Sequence, residues 1–165
     1  HEDDSYLTSK YLTNVFKTTL MLNLNIDEVI DETNRLLKLK SSSEDYATLD
    51  YLKINLNTLN TTLYKFGSYI SYLYRNSKLY ELSKIMLPLG IIDDPDIDPL
   101  HFELSSNDII LLATDGINEI TYPFLKSCFE ESNNLDIILD RILNKAKENQ
   151  SDDITIILLK PQEMW

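Results

Sequence analysis

With one cysteine, two histidines and three glycines in 165 residues, the chain lacks the raw material for several mechanisms. A lone Cys128 rules out an internal disulfide and fits a reducing, cytoplasmic compartment. It sits between Ser127 and Phe129 in an apolar pattern and is read as a core thiol. Of the two histidines, His1 is terminal and His101 has no motif around it, so neither a Cys-His nor a Ser-His arrangement can be built. Three glycines leave no room for a Gly-rich phosphate loop. No apolar run reaches the roughly 18 residues that a membrane-spanning helix needs, and His1 to Asp4 is too polar and acidic to open a signal peptide. Basic residues are also scarce: 15 Lys and Arg stand against 27 Asp and Glu, a formal charge of −12. That balance repels nucleic acid and favours cations, although most of the acids are expected only to keep the surface solvated.

What is present is 43% hydrophobic and clearly patterned, enough for the core of a single domain. From Leu7, apolar residues recur at Tyr11, Val15 and Leu22 with a second stripe at Leu12, Phe16 and Leu20, which predicts a helix. Asn25 followed by Glu28 reads as a cap for a second helix, whose buried face is Ile26, Val29, Ile30, Thr33, Leu36 and Leu37. Ser41 to Asp45 is a connector. The period then becomes alternating: Leu52, Ile54 and Leu56 predict a half-buried strand, and Thr61 to Phe66, Ile70 to Arg75 and Lys78 to Leu82 continue an antiparallel meander. Ile109 to Ala113 and Ile154 to Leu159 are almost continuously apolar, as strands buried on both faces are. Between them Pro123 opens one helix, and an Asn133 or Asn134 cap opens a longer one. The order of elements predicts an α+β fold: a largely antiparallel β-sandwich with flanking helices. Its expected divisions are two helices in 7–39, strands in 46–113, two helices in 122–147 and a final strand in 154–160.

The residues with chemistry to offer lie at the ends of the two most buried strands. Thr114-Asp115-Gly116 directly follows one, and Asp152-Asp153 opens the other. An Asp-Gly after a strand is often only a turn, and acids opening a strand are often only a solvated end. Together, two acids at the ends of strands of one sheet can converge, and carboxylates without His or Cys suit Mg2+ or Mn2+. Two such cations can activate water and clamp a phosphoryl oxygen, so no protein nucleophile is needed.

Six segments in order resemble the bacterial metal-dependent protein phosphatases, the PPM class, and within it the sporulation branch. They are Ala47-Thr48-Leu49-Asp50, Lys65-Phe66-Gly67-Ser68, Leu87-Pro88-Leu89-Gly90-Ile91, Asn107-Asp108, Asp115-Gly116 with Glu119, and Asp152-Asp153-Ile154-Thr155. The resemblance implies α-β-β-α layers and a two-metal Mn2+ or Mg2+ site with Asp115 and Asp152 as ligands. Asp50, Ser68, Pro88, Gly90, Glu119 and Asp153 are expected to be structural.

It further implies a protein serine/threonine phosphatase acting on a phosphorylated anti-sigma-factor antagonist, in sporulation or stress control. The alternative is a degenerate, non-catalytic module that grips a protein partner. The family's earlier metal-binding Asp and Gly-rich Asp-Gly segment have no counterpart before the Leu7 helix, and Asp3 and Asp4 lack an accompanying glycine. The chain is therefore expected either to be the later part of the domain, incomplete and inactive alone, or to come from a homologue that has lost that half of the site, within a parent that is anchored to a membrane elsewhere. The two N-terminal helices are expected to report partner binding and to offer a homodimer contact, while no nucleic acid or membrane contact is expected of this segment.

Overall fold

In this computed structural model the structure describes residues 2–40, 46–84, 86–148 and 152–162. They fall into two compact units. One comprises His1–Tyr51, Tyr64–Gly67 and Ile85–Pro99; the other comprises Leu52–Leu63, Ser68–Lys84 and Leu100–Trp165.

The first unit is built on two helices, α1 (Glu2–Leu22) and α2 (Ile26–Lys40). Asn25 caps α2 by accepting the Asp27 amide at 3.1 Å, and Glu28 reaches back to the Asn25 side-chain amide at 3.3 Å. Their buried faces, Leu12 and Phe16 from α1 and Ile30 and Leu37 from α2, close on Tyr64, Phe66 and Leu89. Asn34, fully buried in α2, holds the following loop from both sides. Its amide nitrogen donates to the carbonyls of Ile92 and Asp93 at 2.9 and 3.2 Å, and its oxygen accepts the Gly90 amide at 2.7 Å. Lys65, 2% exposed, is neutralised by Asp50 on the neighbouring strand at 2.7 Å, so Asp50 is a satisfied sheet residue. The expected connector at 41–45 lies outside the described residues.

Seven strands form two sheets: β1 (Leu49–Ile54), β2 (Asn60–Phe66) and β5 (Leu100–Glu103) in the order β1-β2-β5, and β3 (Ser71–Arg75), β4 (Lys78–Leu82), β6 (Ile109–Ala113) and β7 (Ile156–Leu159) in the order β4-β3-β6-β7. The β3–β4 hairpin turns on Asn76 and Ser77, both at positive φ as a two-residue loop of this hand requires.

The expected continuous meander is therefore corrected. After Phe66 the chain leaves the first sheet, and β2 pairs with β5 instead of β3. The half-buried reading of β1 is also corrected. Leu49 and Tyr51 pack in one apolar cluster and Leu52 and Ile54 in another, while Leu56, counted as a strand residue, lies beyond the strand and is 71% exposed.

Within the second unit, period-two alternation divides β3 and β6 between two cores. Leu73 and Ile110 face Leu52, Ile54 and Phe102, whereas Tyr72, Ile109 and Leu111 face the helices α3 (Tyr122–Glu131) and α4 (Leu135–Lys147). This two-sided burial explains why β6 reads as continuously apolar. β7 is shorter than expected and stands at the end of its sheet, with Ile157 47% exposed. Cys128 is wholly buried in the helix-facing core, and burial pushes its thiol pKa up. Asn134 caps α4 by accepting the Asp136 and Ile137 amides. The architecture is α+β, with antiparallel sheets and flanking helices. Among the described residues no helix is long and apolar enough to cross a membrane.

Candidate metal centre

Strands β6 and β7 are antiparallel neighbours with Ala113 opposite Ile156. The end of β6 and the start of β7 therefore lie at the same end of the sheet. Asp115 leaves β6 there and Asp152-Asp153 approaches β7 there, and all three side chains are exposed. The two acids singled out in the sequence, Asp115 and Asp152, thus sit on adjoining segments of one sheet end.

The backbone carrying Asp115 is held at several points. Asp115 opens a short 3-10 turn, Asp115–Ile117, in which the Asn118 amide donates to the Asp115 carbonyl at 2.8 Å. Ile117, 2% exposed, anchors that turn in the core beside Leu125 and Phe129.

Thr114 joins this turn to the β7 side. Its amide donates to the Thr155 carbonyl at 3.0 Å, its hydroxyl accepts the Thr155 amide at 3.0 Å, and the same hydroxyl donates to the Asp153 carbonyl at 3.3 Å. Gly116 is needed for close approach: a Cβ there would stand 2.4 Å from the Asp153 carbonyl oxygen. What presses on Gly116 is thus the neighbouring Asp153 backbone. On the other segment, Asp152 Oδ1 accepts the Asp153 amide at 2.7 Å, which turns that carboxylate back along its own chain.

Tyr69, two residues before β3, completes the surroundings. Burial first, then the negative charges of Asp115 and Glu81, raise its phenol pKa above the ordinary value. Sequence reasoning passed over Tyr69 and the Thr114 hydroxyl. Thr114 at least stood inside the motif, but attention fell on its two neighbours.

The remaining residues named from sequence divide between the units. Glu119 and Asp153 are exposed and belong with Asp115, whereas Pro88 and Gly90 shape the loop that Asn34 holds. Asp108 is 2% exposed; Arg75 grips it with three contacts of 2.5 to 3.1 Å, and it also accepts the Ser105 amide at 2.6 Å.

The donors at the sheet end are all oxygen, the chemistry that Mg2+ and Mn2+ prefer. Among the described residues no group of three or more His, Cys, Asp or Glu is arranged to hold a metal ion. Asp115 and Asp152 are two exposed carboxylates on adjoining segments of that sheet end.

The family model for stage II sporulation protein E matches residues 1–162. Stage II sporulation protein E of Priestia megaterium is 30% identical over 101 residues, covering 60% of this chain and 17% of that protein. The Bacillus subtilis (strain 168) protein of the same name is 28% identical over 142 residues, covering 85% of this chain and 16% of its own length. The chain thus spans about a sixth of these curated relatives. Among solved structures, the PP2C phosphatase domain with a fragment of the regulatory domain of SpoIIE from Bacillus subtilis superimposes with a TM-score of 0.77 at 23% identity, covering 94% of this chain and 49% of that one. The RsbU and RsbW domains of a Mycobacterium tuberculosis protein give 0.76 at 14% identity, covering 94% and 47%. Both likenesses establish a shared fold.

Proposed function

Since the chain belongs to the stage II sporulation protein E family, we propose that it supplies Asp115 and Asp152 to the metal site of a protein serine/threonine phosphatase. The supporting observation is that two oxygen-donor side chains lie at one sheet end, on segments tied together by Thr114. Mn2+ or Mg2+ bound there as a pair would lower the pKa of water and polarise the phosphoryl group.

The protein's own contribution is positional. Asp115 follows a strand whose first three residues are buried and opens a turn pinned in the core by Ile117, so the backbone that carries its carboxylate has little freedom. Asp152 approaches from the neighbouring strand, and oxygen donors from two directions suit a hard cation. With the attack delivered by water, a shortage of histidine and cysteine costs the reaction nothing.

The substrate we propose is a phosphoserine or phosphothreonine on an anti-sigma-factor antagonist. It is supported by the family and by the RsbU-type relative.

The test is Mn2+-dependent phosphate release from such a phosphoprotein by the full-length protein. Asp115→Asn and Asp152→Asn should each lower the rate by about 100-fold or more, on the order expected for a missing metal ligand. Full activity in either variant would overturn the assignment of that residue. A second reading, a non-catalytic module that grips its partner, is favoured by the absence, among the described residues, of three or more acids, His or Cys grouped to hold a metal. It predicts retained partner binding with no phosphate release in the wild type.

A further inference from the structure

Residue Thr114 is placed where two requirements meet. The last registered pair of the β6–β7 ladder is Ala113 with Ile156, and one residue later the chain turns into Asp115–Ile117. The Thr114 amide still donates to the Thr155 carbonyl at 3.0 Å, but the Thr114 carbonyl accepts the Ile117 amide of the turn at 3.4 Å, and the Thr155 amide bonds elsewhere. The Thr114 hydroxyl accepts that amide at 3.0 Å and donates its own hydrogen to the Asp153 carbonyl at 3.3 Å. One side-chain oxygen therefore spans the two peptide groups on either side of Ile154. Thr114 is the residue before Asp115, and Asp153 is the residue after Asp152. The hydroxyl thus sits between the backbones that carry the two carboxylates.

We propose that Thr114 is a positioning residue for the cation site, its hydroxyl fixing the spacing between the Asp115 and Asp152 segments. This inference rests on the reading of those two acids as ligands. The physical basis is that groups which orient metal-binding side chains without touching the metal set much of the affinity. Three features point to this fixed spacing rather than to a sheet-end cap alone. The hydroxyl acts as both acceptor and donor, so neither segment can shift without breaking a bond. Gly116 removes the side chain that would otherwise force the segments apart, its Cβ position being only 2.4 Å from the same Asp153 carbonyl. Thr114 adjoins Asp115 on one segment, and the Asp153 carbonyl that it holds belongs to the residue after Asp152 on the other.

The experiment measures Mn2+ affinity, with the metal alone as probe, by following free Mn2+ by electron paramagnetic resonance in titrations of the full chain. Thr114→Val keeps the branched shape and removes the hydroxyl, and it should raise the Mn2+ Kd by about tenfold. Thr114→Ser keeps the hydroxyl and should restore affinity to within about twofold of wild type. Melting temperature and hydrogen exchange at the Thr155 amide are read in parallel. Exchange should quicken in the Val variant and stay slow in the Ser variant.

A Val variant with faster exchange or a lower melting temperature and unchanged Mn2+ affinity would overturn the inference, because the hydroxyl would then serve the sheet alone. If Thr114→Val does not fold, Thr114→Ala removes the hydroxyl without added bulk and carries the same expectation. Asp115→Asn separates the two levels of the proposal. If wild type and Asp115→Asn bind Mn2+ alike, the ligand reading itself fails and the role of Thr114 falls with it. If only Asp115→Asn loses binding while Thr114→Val retains it, the ligand reading stands and Thr114 is not a positioning residue.

Discussion

Tyr72 shows how far a single side chain's surroundings reach in this protein. It is 7% exposed, stands opposite Glu81 on β4 and Leu111 on β6, and packs among the residues beneath α3 and α4. Burial, followed by the charges of Tyr69, Glu81 and Tyr122, pushes its phenol up to about 12 from an ordinary 10.0. The folded state therefore keeps a proton that the unfolded chain releases. Its contribution is fully present below pH 10 and is lost as pH rises towards 12. Melting temperature should fall across that window, and Tyr72→Phe, with no phenol to ionise, should flatten the fall. An equally steep decline in the Phe variant would assign the effect to other groups. Nothing in the local sequence identifies Tyr72 among ten tyrosines, because its shift depends on strands and helices that meet only in the fold.

Between elements, a buried polar tie of the first unit is the grip of α2 on the loop that follows Leu89. Asn34→Ala would leave the Gly90 amide and the carbonyls of Ile92 and Asp93 without their buried partner. A cost of about 1–3 kcal/mol is expected, with accelerated hydrogen exchange at the Gly90 amide. Unchanged exchange there would mean that the Lys38–Asp93 ion pair and the apolar packing of Leu89 suffice.

The helices themselves were legible from sequence, because amphipathic periodicity over about three turns or more is a strong signal and Asn25 and Asn134 are chemically plain caps. Leu100–Glu103 was not, since four residues after Pro99 are too few to establish an alternation. Nor could sheet order be read. The departure from the first sheet happens at Gly67, whose positive φ and contact with Pro88 are matters of three-dimensional fit. Asp115 and Asp152 stand out in the sequence as the proposed ligands because they are acids at the ends of apolar strands, and the structure sets those strand ends side by side. The role of Thr114 was hidden because its partners lie 39 and 41 residues along the chain.

Over the whole molecule, charge and apolar exposure pull in opposite directions. The helices of the first unit expose Met21 at 76%, Leu39 at 72% and Leu22 at 63%, the features that support self-association through them. A net charge of −12 opposes it, most strongly at low ionic strength where screening is weakest. Sedimentation velocity should then show the dimer gaining over the monomer as salt is raised. A monomer at every ionic strength would remove this proposal.

If Asp115 and Asp152 share a cation as proposed, the antiparallel pairing of β6 with β7 also governs when it can be captured. In a disordered chain Asp115 and Asp152 would be separated by on the order of 30 Å, each acting as a lone, weakly binding acid. Zipping the two strands together replaces that dilute pair with a high effective concentration of one donor at the other. Under the proposed ligand reading, ion capture waits on the closure of an excursion that contains both α3 and α4, which ties metal affinity to the docking of those helices.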